Sequence, residues 1–267
     1  DGKILTSLKI HSDVNNVVVL FDVSNPKSHV ELTQLESGDE ELDITRIIFN
    51  PNKNLLFFSR SDGSILAWDV QNPEVPVMLS TMNGYGNWVY GLALSPDENT
   101  LAVGDGGTII ALWDVTDPAA PSFLSSWSGH SFAINSLAFS TDGNTLASSS
   151  TETNAQVVLW DVTDKSSPIK TRTINGHSLG VNVVIFESRN NMLLSGSRDG
   201  AIMIWDSIQP KTEMELGSID GSMIDMAFQP NSNILLSVDN EYRMTTWDIS
   251  DLSNPVKLKT QDGPASI

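Results

Sequence analysis

Apolar residues fall in short alternating runs along this chain, each bounded by Gly, Asp, Asn or Pro. Ser64-Ile65-Leu66-Ala67, Ile109-Ile110-Ala111-Leu112, Val157-Val158-Leu159 and Ala201-Ile202-Met203-Ile204 are typical. Runs of this length and alternation predict strands packed on a sheet, and no stretch has the 3.6-residue period of an amphipathic helix. A second run precedes each of these, as in Leu55-Leu56-Phe57-Phe58 and Met192-Leu193-Leu194-Ser195, joined through Ser61-Asp62-Gly63 or Arg198-Asp199-Gly200. Asp-Gly turns between apolar runs predict hairpins. Further upstream lies a third run (residues 44–49, 89–94, 134–139, 181–186 and 223–228), and a Pro-bearing loop after the first leads to a fourth. Proline fits there if the fourth strand is outermost, with one unpaired edge.

These four-strand units are copies. An aromatic-Asp dipeptide closes the third strand of each: Phe21-Asp22, Trp68-Asp69, Trp113-Asp114, Trp160-Asp161, Trp205-Asp206 and Trp247-Asp248, at steps of 47, 45, 47, 45 and 42 residues. A fixed period of this length with this dipeptide predicts an all-β propeller of four-stranded antiparallel blades, with six repeats visible. The segment 1–267 reads as a single domain. Asp1-Gly2-Lys3-Ile4-Leu5 matches Asp142-Gly143-Asn144-Thr145-Leu146, so the first blade is expected to lack its innermost strand. Residues 263–267 resemble the opening of that strand, which leaves a ring of six, or of seven with one repeat missing.

The chain resembles WD-repeat β-propellers through the dipeptide, the spacing, the turns and a Gly-His pair before the innermost strand. That pair stands as Gly129-His130 and Gly176-His177, and has drifted to Gly38-Asp39, Gly84-Tyr85 and Gly221-Ser222. The resemblance implies that this His bonds the hairpin Asp, with a strand hydroxyl linking onward to the Trp indole. By that pattern only one repeat keeps every piece: His177, Ser195 or Ser197, Asp199 and Trp205. The other blades are then expected to rely on packing. Trp-Asp-Val-Thr-Asp-Pro-Ala-Ala-Pro with later Gly-His also resembles bacterial arrays that follow nucleotide-binding signal-transduction ATPase modules as sensors or scaffolds. No nucleotide-binding motif lies within these residues.

Composition narrows the chemistry. The absence of Cys removes disulfides, thiolate metal sites and cysteine catalysis, and is compatible with a reducing cytosol. A net charge of −18 opposes phosphate backbones and anionic lipid, so neither nucleic acid nor membrane is expected as a partner. Gly176-His177-Ser178-Leu179-Gly180 matches a nucleophile elbow, but a strand, not a helix, follows it. The histidines have no zinc spacing and Gly104-Asp105-Gly106-Gly107 has no Lys to hold phosphate, so no metal or cofactor is expected. A hydrolase would need paired carboxylates in the channel, for which Asp43 and Asp225 are the candidates. A small-molecule receptor would need a closed aromatic-lined pocket.

The expected role is a non-catalytic scaffold or sensor that binds a protein or peptide on one face. Repeat alignment puts Asp43, Trp88, Ala133, Gly180 and Ser222 at one position, and Thr45, Tyr90, Asn135, Asn182 and Ile224 two residues on. Trp88 and Tyr90 stand out as aromatics that no other repeat has there. The candidate face comprises Asp43, Thr45, Trp88, Tyr90, Phe132, Asn135, Asn182 and Arg198.

Overall fold

The computed structural model describes residues 4–9, 16–25, 27–39, 42–83, 87–152, 156–187, 192–205, 213–218 (backbone only), 222–229, 232–251 and 254–263. All regular elements among them are strands. The first sheet has three: β1 (Ile4–Lys9), β2 (Val17–Asp22) and β3 (Val30–Leu35). The second has four: β4 (Ile44–Asn50), β5 (Leu55–Arg60), β6 (Ile65–Asp69) and β7 (Val77–Met82). The third comprises β8 (Val89–Leu94), β9 (Thr100–Asp105), β10 (Ile109–Asp114) and β11 (Ser122–Ser128). The fourth comprises β12 (Ile134–Phe139), β13 (Thr145–Ser150), β14 (Val157–Asp161) and β15 (Ile169–Ile174). β16 (Val181–Phe186), β17 (Leu193–Ser197), β18 (Ala201–Trp205) and β19 (Glu213–Ser218) form the fifth. β20 (Met223–Phe228), β21 (Ile234–Asp239), β22 (Arg243–Asp248) and β23 (Val256–Asp262) form the sixth.

Each sheet is an antiparallel meander, and the innermost strands β4, β8, β12, β16 and β20 pack one against the next around an axis. This is a six-bladed β-propeller. The pairs Gly84-Tyr85 and Gly221, the Asp206 of the fifth dipeptide, and residues 264–267 lie outside the described residues.

Apolar contact between blades is the main source of stability. The second-strand leucine that pairs with the dipeptide Trp in blades two to six (Leu56, Leu101, Leu146, Leu193, Leu235) is wholly buried, a burial worth about 1.5–3 kcal/mol for each side chain. Ala147, Val157 and Leu159 of blade four meet Val181, Val184 and Trp205 of blade five in one such cluster. Trp127 of β11 packs on Trp160 of β14 in the next blade, ring centroids 5.5 Å apart.

The dipeptide Asp has a local task. Asp22, Asp69, Asp114, Asp161 and Asp248 each accept the backbone N–H two residues on, at 2.8–2.9 Å, and so turn the chain into the Pro-bearing loop. Short polar side chains favour such turns for this reason. The Gly of the Gly-His pair answers a close approach: a Cβ on Gly176 would lie 2.6 Å from the Trp205 ring, and one on Gly129 would lie 2.5 Å from Ile110.

The hydrogen-bond network of blade five joins the residues named from the sequence, and it extends beyond that blade. In blade five His177 Nε2 and Trp205 Nε1 both meet Ser195 Oγ at 2.7 Å, and His177 Nδ1 lies 3.2 Å from Asp199. Ser195 therefore takes the linking role. Ser197 instead donates to the carbonyls of Leu179 and Gly180 and accepts from Asp199 N. Burial works against the charge on Asp199, but the amides of Ala201 and Ser178 and the His177 ring outweigh it and hold its carboxyl below the usual range.

Blade four has a counterpart that the sequence pattern passed over. His130 Nε2 and Trp160 Nε1 meet Ser148 Oγ at 2.8 and 2.9 Å, and Glu152 lies 3.8 Å from His130 Nδ1 in place of the Asp. Blade six keeps part of it, with Trp247 Nε1 donating to Ser237 Oγ at 2.9 Å. Reliance on packing holds for blade two. There Phe58 occupies the serine's register position and stacks on Trp68, centroids 6.1 Å apart, while the buried Trp68 N–H finds no partner.

Candidate functional site

The inner strands begin, and the second-to-third-strand turns lie, at the same end of blades two to six. A repeated backbone bond ties the two together. The carbonyls of Asp43, Trp88, Ala133, Gly180 and Ser222 accept from the amides of Ser61, Gly106, Thr151, Arg198 and Asn240, at 2.5–3.3 Å. These five acceptors are the residues that repeat alignment had made equivalent. Rigid strands thus hold them on a common rim around the axis.

On that rim several large apolar side chains face solvent: Trp88 (48% exposed), Phe132 (55%), Leu179 (43%) and Tyr242 (61%). Trp88 and Phe132 just precede β8 and β12, Leu179 precedes β16, and Tyr242 is in the turn between β21 and β22. Sequence reasoning missed Leu179 and Tyr242. Leu179 is the repeat equivalent of Phe132, counting from His177 and His130, so position alone would have found it. Tyr242 takes the place of Gly63 and Gly200, and like them has a positive φ, 59° against 83° and 86°. A bulky residue in that region is a backbone outlier, and such outliers cluster at functional positions.

Inside the rim is a cavity of about 220 Å³ on the axis, lined among others by Arg46, Tyr90, Asn135, Asn182, Ile224 and Asp225. Polar side chains bridge neighbouring inner strands here. Thr45 Oγ1 donates to Val89 O at 3.0 Å, Asn135 Nδ2 to Asn182 Oδ1 at 3.0 Å, and Asn182 Nδ2 to Met223 O at 2.6 Å. Asn182 Oδ1 also accepts from the exposed Arg198, at 3.2 Å. Arg46 Nε donates to Tyr90 O at 2.5 Å. The Tyr90 ring abuts Gly106 and lies 6.2 Å from the Trp88 ring.

The eight candidate residues therefore divide. Tyr90, Asn135 and Asn182 line the axial cavity, Thr45 bridges β4 to β8, and Arg198 reaches Asn182 from the rim. Trp88 and Phe132 are the exposed members. Asp43 sits at the rim, where its Oδ1 accepts Asn16 N at 3.4 Å. Asp225 lines the cavity and Asp43 does not, so the structure does not bring these two carboxylates together there.

A second, polar hollow of about 460 Å³ lies on blade four and is lined by His130, Glu152, Gln156 and Lys170. Burial depresses the pKa of His130 from 6.5 to about 4, against the opposing pull of Glu152. The ring is neutral near pH 7 and bonded to Ser148, which marks a structural group. Among the described residues no group of three or more His, Asp or Glu could hold a metal ion. No helix among them is long and apolar enough to cross a membrane.

The fold defines a β-propeller, and comparison identifies its repeats. The family described as WD domain, G-beta repeat matches residues 77–114, 121–161 and 168–206. Each match runs from an outer strand through the first three strands of the next blade. Three of the repeats thus match the WD repeat. A search of curated proteins finds no match in sequence. Among solved structures, a chain in the crystal structure of a mitotic checkpoint complex superposes with a TM-score of 0.76 at 21% identity, over 94% of this chain and 73% of that one. At that identity the likeness concerns the fold.

Proposed function

We propose that this protein is a non-catalytic interaction scaffold, a sensor propeller that binds a protein or peptide on the rim where its inner strands begin. One observation carries the reading: Trp88, Phe132, Leu179 and Tyr242 are apolar, exposed and held at one end of the blades by rigid strands. Exposed aromatic anchors on a rigid frame are the usual centre of a protein interface, surrounded by polar groups such as Arg198 and Asp43. The fold supports this reading by analogy, since WD-repeat propellers commonly scaffold protein assemblies. The cytoplasm of a bacterium, and a parent chain with a signal-transduction ATPase, are the setting we assign. They rest on the form of the repeats and the absence of Cys.

The double variant Trp88→Ala with Phe132→Ala tests the rim. Both side chains are about half-exposed, so unfolding should stay within about 1 kcal/mol of wild type. Capture of a partner, isolated with the wild-type protein and then purified, should weaken at least tenfold, as loss of interface anchors predicts. Equal affinity in the double variant would remove the rim from consideration.

A further inference from the structure

The polar hollow on blade four brings together groups that the rim does not use. Ser128, His130, Ser131, Glu152, Gln156 and Lys170 line it, so one carboxylate and one ammonium border the same space. Among the described residues these two charges form no ion pair with each other, and Lys170 has neither a hydrogen bond nor an ion pair. Its blade-six equivalent, Lys257, lies over the Trp247 ring at 5.9 Å. Glu152 and Lys170 both stand close to His130, for Glu152 favours a proton on that ring and Lys170 opposes it.

The His130 side chain is only 1% exposed, and it carries a donor with no acceptor at bonding distance. Trp160 Nε1 can only donate, so Ser148 Oγ accepts from it. The Ser148 hydroxyl then donates to His130 Nε2 at 2.8 Å rather than to Val158 O at 3.5 Å. The proton of the neutral ring is therefore on Nδ1. The nearest carboxylate oxygen there, Glu152 Oε1, is 3.8 Å away, beyond a hydrogen bond. Blade five closes the same place, where Asp199 lies 3.2 Å from His177 Nδ1 and accepts Ser178 N at 2.8 Å. The blade-four hairpin is two residues longer between equivalent positions, Ser150 to Gln156 against Ser197 to Ala201. Ser150 Oγ donates to Glu152 Oε1 at 3.0 Å and fixes the carboxylate. Gln156 Nε2 donates to Asn175 Oδ1 at 3.0 Å, which leaves the Gln156 carbonyl oxygen as an acceptor.

A simple anion in this hollow would meet Glu152, and a simple cation would meet Lys170. A molecule that carries both charges satisfies each of them. We propose that the hollow is a binding site for a small polar α-amino acid. The ligand's ammonium pairs with Glu152, its carboxylate with Lys170 and the His130 Nδ1–H, and its side chain with Ser131 and Gln156. The site does not depend on the rim or on any partner bound there.

L-serine, L-asparagine and L-glutamine, each titrated calorimetrically into the intact protein, are the probes. At least one should bind saturably at one to one and raise the Tm. Lys170→Met and Glu152→Gln should each weaken that binding at least tenfold. Lys170 is exposed, so Lys170→Met should leave the Tm of the free protein unchanged and report on binding alone. The α-amide of the amino acid that binds, which lacks the carboxylate, should bind at least tenfold more weakly and be indifferent to Lys170→Met. No saturable binding by any of the three overturns the proposal. So does binding indifferent to either variant, or an amide that binds as tightly as its parent.

Discussion

Ser195→Ala is expected to destabilise the protein by roughly 2–4 kcal/mol, more than its volume suggests, because two buried polar groups lose their partner together. Ser195 is fully buried, and its Oγ lies 2.7 Å from both Trp205 Nε1 and His177 Nε2. Water cannot substitute without disturbing a packed blade, since Trp205 is itself only 1% exposed. Ser148→Ala should cost a similar amount, because Ser148 has the same two partners in His130 and Trp160. Chemical denaturation of both variants checks this. A neutral Ser148→Ala beside a costly Ser195→Ala would show that blade four is held by packing after all.

The second large effect is a pH dependence at His130. Its folded pKa of about 4 lies below the free value of 6.5, because burial disfavours the imidazolium more than Glu152 favours it. Between those values the unfolded chain binds the additional proton. The contribution is therefore complete above about pH 6.5 and is lost as pH falls toward 4, about 2 kcal/mol being gone at pH 5. His130→Gln keeps an amide N–H for Ser148 and removes the titration. Its stability should fall less than wild type between pH 7.5 and 5, by about 2 kcal/mol. Parallel profiles for the two proteins would contradict a buried neutral His130. The depressed carboxyls, Asp199 and Asp239 among them, act lower: they stabilise above their unfolded value of 3.8 and lose that contribution below it.

Much of the fold was legible because a repeat states the same physical requirement several times. Strand period, Asp-Gly turns and the Trp-Asp spacing agreed on six sheets, and aligning them placed Asp43, Trp88, Ala133, Gly180 and Ser222 in one class that the backbone bonds reproduce. What the pattern passed over depends on chemistry or distance. Glu152 does not look like the hairpin Asp, yet one extra methylene still brings its carboxylate within 3.8 Å of His130. The bonds from Asn135 to Asn182 and from Asn182 to Met223 join residues 47 and 41 apart on neighbouring blades, and only the ring geometry sets that reach. Tyr242 was invisible as a rim residue until its turn was seen to repeat the glycine turns at Gly63 and Gly200.

Those departures from the repeat converge on one end of the propeller, and the central claim is that this end meets the partner. Hydrogen–deuterium exchange of the protein, free and saturated with its purified partner, tests the claim most directly. The account predicts added protection at residues 87–91, 131–135, 178–182 and 240–243, and none in the Pro-bearing loops after Asp69, Asp114 and Asp161. Protection confined to those loops or to the outer strands β7, β11 and β15 would contradict it.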